Sequence, residues 1–154
     1  MKIRIAIGSD HAGFDLKNNI FDAISSNIAY EVTDMGTHTP DSVDYPDFGA
    51  IVGRAVAAGE FDLGILVCGT GVGITISANK IKGVRAACVS EPYSARMSRA
   101  HNNANIIGFG SRVVGLGLAL EIVEAFLQTP FQAGTRHETR VDKINALDCA
   151  REEV

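Results

Sequence analysis

The sequence predicts an α/β protein, a three-layer αβα sandwich around a Rossmann-like five-stranded parallel sheet. Three observations predict it. Short β-branched runs alternate five times with longer segments of helical period, the pattern of a parallel sheet with helices on both faces. One of those runs, Leu63–Cys68, is apolar at nearly every position, as a strand covered on both sides must be. Glycine-rich turns follow two of the runs, at Gly8–Gly13 and Gly69–Gly73, where a strand hands over to a helix. The 154 residues are expected to form a single domain, 1–154, which matches the ~100–200 residues usual for one domain. A chain of this size buries roughly 70% of its unfolded surface, enough for a core without staples.

The elements follow in order. Ile3–Ile7 is the first strand, and Gly8-Ser9-Asp10-His11-Ala12-Gly13 leads into a helix from about Phe14 to Ser25, with Phe14, Ile20, Phe21 and Ile24 on one face. Tyr30–Thr33 is the second strand, followed by a polar loop from Gly36 to Asp47 and a small-residue helix from Phe48 to Ala58. Leu63–Cys68 is the third strand, and Gly69-Thr70-Gly71-Val72-Gly73 opens a helix running to about Lys80. Val84–Val89 is the fourth strand, Tyr93–Asn102 a helix behind Pro92, and Asn105–Phe109 the fifth strand. Ala119, Ile122, Val123, Phe126 and Leu127 mark the buried stripe of a fifth helix. After Thr129-Pro130 and Ala133-Gly134 a last helix, about 137–150, carries Val141, Ile144 and Leu147 on one side. Arg136, Arg140 and Lys143 lie on another side, so this amphipathic helix is expected to dock on its own domain or on a partner subunit.

Charge and cysteine content exclude several classes. A net charge of −4 argues against a nucleic-acid binder, because phosphate-backbone affinity needs clustered Lys and Arg. The 46% hydrophobic and 21% charged content excludes wholesale disorder. Three cysteines, Cys68, Cys88 and Cys149, cannot all pair within the chain, and neither CxxC nor zinc-finger spacing occurs. The apolar run after Met1 is too short for a signal segment or a membrane span. The expectation is a cytoplasmic protein with reduced thiols and no membrane partner.

In open parallel sheets ligands bind beyond the C-terminal ends of the strands. Those ends carry Ser9, Asp10 and His11 after strand one, Cys68 and its glycine loop after strand three, and Gly110, Ser111 and Arg112 after strand five. The loop after strand two adds Asp44, Tyr45 and Asp47. In Cys68-Gly69-Thr70-Gly71-Val72-Gly73, alternate glycines allow backbone N–H groups to converge, and a helix N-terminus follows. Such a nest holds a phosphate or an oxyanion that develops during reaction. Cys68 beside it is either a base or nucleophile, or a small apolar residue closing a buried strand.

Dinucleotide binding is the rival reading. Its third glycine position falls on Ile74, although Glu91 stands about 20 residues on, where a ribose-binding acid would be. A Walker loop is excluded, since no Gly-Lys-Ser/Thr follows the glycines. Asp10-His11 reads as a catalytic pair, a metal pair or a helix cap. His101, at a helix end, is either functional or a partner of the helix dipole. A metal site needs about three converging ligands, and the scattered Asp and His do not supply them, so no metal is expected. Arg112, Arg136 and Arg140, with His137 beside them, are either a phosphate site or a solvated face. His38 lies in a polar loop and supports no role.

Together these residues resemble the ribose-5-phosphate isomerase B family, within a group that includes allose- and galactose-6-phosphate isomerases. The matching segments are Gly8-Ser9-Asp10-His11-Ala12-Gly13, Asp44-Tyr45-Pro46-Asp47, and Cys68-Gly69-Thr70-Gly71-Val72-Gly73-Ile74. Asn79-Lys80, Gly83-Val84-Arg85-Ala86, His101-Asn102, Asn105, Gly110-Ser111-Arg112, Arg136-His137 and Arg140 follow in order, and the set spans nearly the whole chain.

The resemblance implies strand order 2-1-3-5-4 and a reversible aldose–ketose isomerisation of ribose 5-phosphate and ribulose 5-phosphate, with no metal or organic cofactor. Cys68 would move the proton between C1 and C2 through a cis-enediolate, and the amides of Gly69, Gly71, Val72 and Gly73 would hold the oxyanion. Thr70 would assist at the hydroxyls, His101 would help open the furanose ring, and Asp10 and Asn102 would bind hydroxyls. His11, Arg112, Arg136 and Arg140 would hold the phosphate, with His137 nearby. The family also implies a homodimer or homotetramer with shared active sites, His101 and some arginines coming from the neighbouring subunit. Lys82 and Thr135 depart from the family's usual pattern without removing a functional group. Other sugar phosphates (allose 6-phosphate, galactose 6-phosphate or a tetrose phosphate) are the alternative substrates, and a non-catalytic nucleotide-binding module is the alternative of another class.

Overall fold

The computed structural model describes residues 2–150. Met1 and residues 151–154 of the expected domain, and the Cys149 side chain, lie outside that description. Five strands, β1 (Ile3–Ser9), β2 (Tyr30–Asp34), β3 (Leu63–Cys68), β4 (Ala86–Cys88) and β5 (Ile106–Gly110), form one sheet in the order β2-β1-β3-β5-β4. Every pairing is parallel. Among the described residues six α-helices accompany it: α1 (Phe14–Ser25), α2 (Tyr45–Ala57), α3 (Val72–Ala78), α4 (Pro92–Asn102), α5 (Leu116–Leu127) and α6 (Arg136–Ala150).

Strand alternation divides the core into two layers. Ile5, Ile7, Leu63, Ile65, Val67, Ile107 and Phe109 pack with residues of α1, α4 and α5. Ala6, Leu66, Cys68 and Ile106 face the other way, onto Val52 and Val56 of α2 and Ile74 and Ala78 of α3. Small residues on that second face let α2 and α3 press close together. A side chain at Gly49 of α2 would stand 2.6 Å from the Ile74 carbonyl oxygen of α3. The stripe expected for the fifth helix is buried at all five positions.

Several boundaries differ from expectation. The second helix begins at Tyr45 rather than Phe48, because Pro46 sits in its first turn, where a missing N–H costs nothing. The third helix stops at Ala78, before Lys80. The fourth strand shrinks from Val84–Val89 to three residues at the sheet edge, where it has a strand neighbour on one side only. In α1 the buried residues are Leu16, Lys17, Ile20 and Ile24, while Phe14 and Phe21 are only partly covered. Lys17 is wholly buried, its ammonium paired with Asp34 at the end of β2 and lying over the Phe14 ring. Of the apolar side expected on the last helix, Val141 is buried, whereas Ile144 is 40% and Leu147 66% exposed. Among the described residues no helix is long and apolar enough to cross a membrane.

Candidate active site

β1 lies between β2 and β3 in the sheet. The chain leaves β1 toward α1 on one face and leaves β3 toward α3 on the opposite face. The two departing loops diverge, and a crevice opens between them at the C-terminal strand ends. A cleft of about 490 Å³ occupies that place. Asp10, His11, Cys68, Gly69, Thr70, Val72, Gly73 and Arg112 line it, with Gly71 within the same loop.

The Cys68 sulfur accepts the Gly71 backbone N–H at 3.1 Å. Gly71 has a φ of 81°, in the left-handed region, and a side chain there would stand 2.5 Å from the Phe109 backbone. The Cys68 carbonyl accepts the Ser111 N–H at 2.8 Å, and the Gly69 carbonyl accepts the Arg112 N–H at 3.1 Å. The nest is thereby stitched to the end of β5, and the Arg112 guanidinium lies against Gly69. The Thr70 hydroxyl accepts the Val72 N–H at 3.3 Å. The first turn of α3, at Val72, Gly73 and Ile74, has no carbonyl of its own helix to bond, so its N–H groups favour negative charge nearby.

Asp10 is both a cap and a wall of the cleft. Its Oδ1 accepts the Gly13 N–H at 3.0 Å, closing a 3₁₀ turn at His11–Gly13. The His11 ring is set by the Val43 backbone, whose N–H lies 3.2 Å from Nδ1 and whose carbonyl oxygen lies at the same distance. When Nδ1 accepts that N–H, the ring proton sits on Nε2, leaving the second nitrogen as a donor.

The remaining expected residues form a second group. α4 ends at Asn102 and feeds the N-terminal end of β5, while Cys68 pairs with Gly110 at the C-terminal end. Roughly 13 Å of strand separates those two ends. His101 therefore does not meet Cys68 of its own chain. It stacks instead on His137, ring centroids 4.0 Å apart and planes within 6°. Burial, and then the charges of His101, Arg136 and Arg140, hold the His137 imidazole below its ordinary value. His101, Arg136, His137 and Arg140 thus make a basic cluster at the junction of α4 and α6, with Asn102 next to His101 in the chain.

Three further residues line the cleft: Ala12 beside His11, Tyr45 and Ile76. Tyr45 packs its ring over Gly73, and Ile76 lies on the α3 wall. The strand-two loop already offered Tyr45 and the Gly8–Gly13 turn contains Ala12, while nothing local marks Ile76. Of the rival dinucleotide features, Ile74 is fully buried in the core, and both Glu91 carboxylate oxygens accept the Ser94 N–H as the N-cap of α4.

Comparison with known proteins gives a consistent family. The family model described as Ribose/Galactose Isomerase matches residues 5–144. Ribose-5-phosphate isomerase B of Escherichia coli is 51% identical, over 96% of this chain and 98% of that protein. The solved Clostridium thermocellum ribose-5-phosphate isomerase B superposes with a TM-score of 0.93 at 54% identity, covering 97% of this chain and 99% of that one. Ribose-5-phosphate isomerase B from Mycoplasma genitalium, solved with ribulose 5-phosphate bound, is 41% identical with a TM-score of 0.90, covering 96% and 97%.

Proposed function

The chain belongs to the ribose/galactose isomerase family, and from that premise we propose that it interconverts ribose 5-phosphate and ribulose 5-phosphate. One observation carries the reading: a sulfur at a strand end, hydrogen-bonded into a glycine nest, faces a cleft that also holds an arginine.

The chemistry asks for those parts. A C–H beside a carbonyl is a weak acid, so its removal needs a placed base and a stabilised oxyanion. The Cys68 sulfur takes the C2 proton of the open-chain aldose. The electron pair moves into the C1–C2 bond, and the carbonyl oxygen becomes the enediolate oxygen. Backbone N–H groups across Gly69–Gly73 hold that charge, those of Gly71 and Val72 turning to it from Cys68 Sγ and the Thr70 hydroxyl. Thr70 assists at the sugar hydroxyls. Return of the proton to C1, with the O2 proton passing to O1, gives the ketose; no electrons enter or leave. Asp10 and Asn102 bind hydroxyls, and His101 helps open the ring. His11, Arg112, Arg136, His137 and Arg140 hold the phosphate, whose binding orients the reacting carbons from a distance.

Completing this set needs a second copy, in a homodimer or homotetramer of a cytoplasmic enzyme with no cofactor. The His101 group of one subunit would close the Cys68 cleft of its neighbour. Exposed apolar residues beside both groups support the pairing: Val72 and Ile76 at the cleft, Ile144 and Leu147 on α6. The test is a panel of ribose 5-phosphate, allose 6-phosphate, galactose 6-phosphate and a tetrose phosphate, compared by kcat/KM. The reading expects ribose 5-phosphate to lead; another sugar ahead of it would reassign the substrate within the family.

A further inference from the structure

Three polar segments have no part in the chemistry above: Asn79-Lys80, Gly83-Val84-Arg85-Ala86 and Asn105. In the fold they form one connected unit. Asn79, at the end of α3, pairs with Ala86 in both directions, its Nδ2 donating to the carbonyl and its Oδ1 accepting the N–H, each at 2.8 Å. From the other side the Asn105 Oδ1 accepts the Arg85 N–H, and its Nδ2 donates to the Gly83 carbonyl, also at 2.8 Å. Residues 83–86 are thus gripped between two side-chain amides.

From that rigid segment the Arg85 side chain reaches two helices. Its Nε donates to the Asn103 carbonyl at 3.0 Å, directly after His101 and Asn102, and its Nη1 donates to Asn145 Oδ1 on α6 at 3.0 Å. Asn103 stops α4 in the left-handed region at φ 46°, its Oδ1 accepting from Arg99 Nη1 at 2.8 Å. The Gly83 N–H donates to Asp148 Oδ2 at 2.9 Å, a second tie to α6. The apolar grip on α6 is concentrated at Val141, which is 4% exposed against 40% for Ile144 and 66% for Leu147. Polar ties therefore hold its far half.

We propose that Arg85 is a positioning residue for the second half of the site, its guanidinium setting the spacing between His101 and Asn102 on α4 and Arg136, His137 and Arg140 on α6. This rests on the reading that those residues serve a neighbouring Cys68 cleft. α6 acts as a lever. Asn145 lies nine residues beyond Arg136, about 14 Å along the axis, so release at one end swings the phosphate arginines at the other. A planar fork holds two acceptors in fixed directions, which a lysine ammonium does not.

The experiment uses the full chain with Asn145→Ala, Arg85→Lys and Arg136→Ala, reading kcat, KM, competitive inhibition by inorganic phosphate, and melting temperature. Asn145→Ala cuts only the exposed α6 tie, and the expected result is KM and the phosphate inhibition constant rising together roughly fivefold, with kcat and melting nearly unchanged. Arg85→Lys cannot hold both acceptors in place at once and is expected to lower kcat as well as raise KM. Wild-type KM and phosphate inhibition in both variants, alongside a raised KM in Arg136→Ala, would overturn the proposal and leave the half-site reading standing. An unchanged KM in Arg136→Ala would overturn that reading and this proposal with it. A drop in melting temperature alone would make Arg85 structural.

Discussion

Gly71 donates its backbone N–H to the Cys68 sulfur across 3.1 Å, from a φ of 81° that side-chain-bearing residues rarely adopt. The sulfur and the nest are therefore one geometric unit. Gly71→Ala must strain the backbone and push against Phe109, where its new carbon would stand 2.5 Å from main-chain atoms. The expected outcome is a fall in kcat/KM on the order of 10²-fold, with the protein still folded by circular dichroism. Near-normal turnover would separate the nest from the chemistry.

Arg112 enters the cleft from the end of β5, its guanidinium against Gly69. If Arg112 holds the phosphate as proposed, truncation to alanine removes charge-assisted hydrogen bonds, each worth about 1.5–3 kcal/mol. Steady-state kinetics of Arg112→Ala are expected to show KM raised roughly tenfold or more, with a smaller change in kcat. An unaltered KM would remove Arg112 from the phosphate site.

His101 and Cys68 lie at opposite ends of the strand layer within one chain. If subunits share sites, two inactive variants complement each other. Mixing Cys68→Ala with His101→Ala, after subunit exchange, should restore about one quarter of the wild-type activity, because half the dimers are mixed and each mixed dimer has one intact site. Activity that stays at the sum of the two variants would place both residues in one subunit's site.

His137 gives a pH signature. Burial first, and then His101, Arg136 and Arg140, lower its pKa in the folded chain from the ordinary 6.5. The unfolded chain then binds this proton at higher pH than the folded one. The stability it contributes is complete above 6.5 and is lost as pH falls through the lowered value. Melting of wild type should decline more steeply than that of His137→Gln between about pH 7.5 and 5. Parallel curves would contradict the burial and charge account.

Much of this was legible because local signals bounded it. Gly13 before α1 and Gly69 after β3 marked those elements, and both ran over the residues expected. The Cys68 cleft was legible from the strand ends, since a parallel sheet brings its C-terminal ends together whatever the loops do. Other features depend on tertiary contacts without a local mark. Lys17 reads as a surface residue until Asp34 meets its ammonium inside the fold. β4 starts only at Ala86 because the Asn105 side chain takes the Arg85 N–H. The His101–His137 stack joins residues 36 apart in sequence, and no periodicity announces it.

The most direct test of the account is turnover of ribose 5-phosphate by Cys68→Ala against wild type in excess EDTA, with ribulose 5-phosphate binding measured on the same preparations. The account predicts a loss in kcat of about 10³-fold or more while binding stays within a few-fold. A Cys68→Ala protein that retains a substantial share of wild-type turnover would contradict the assignment of the proton transfer to Cys68.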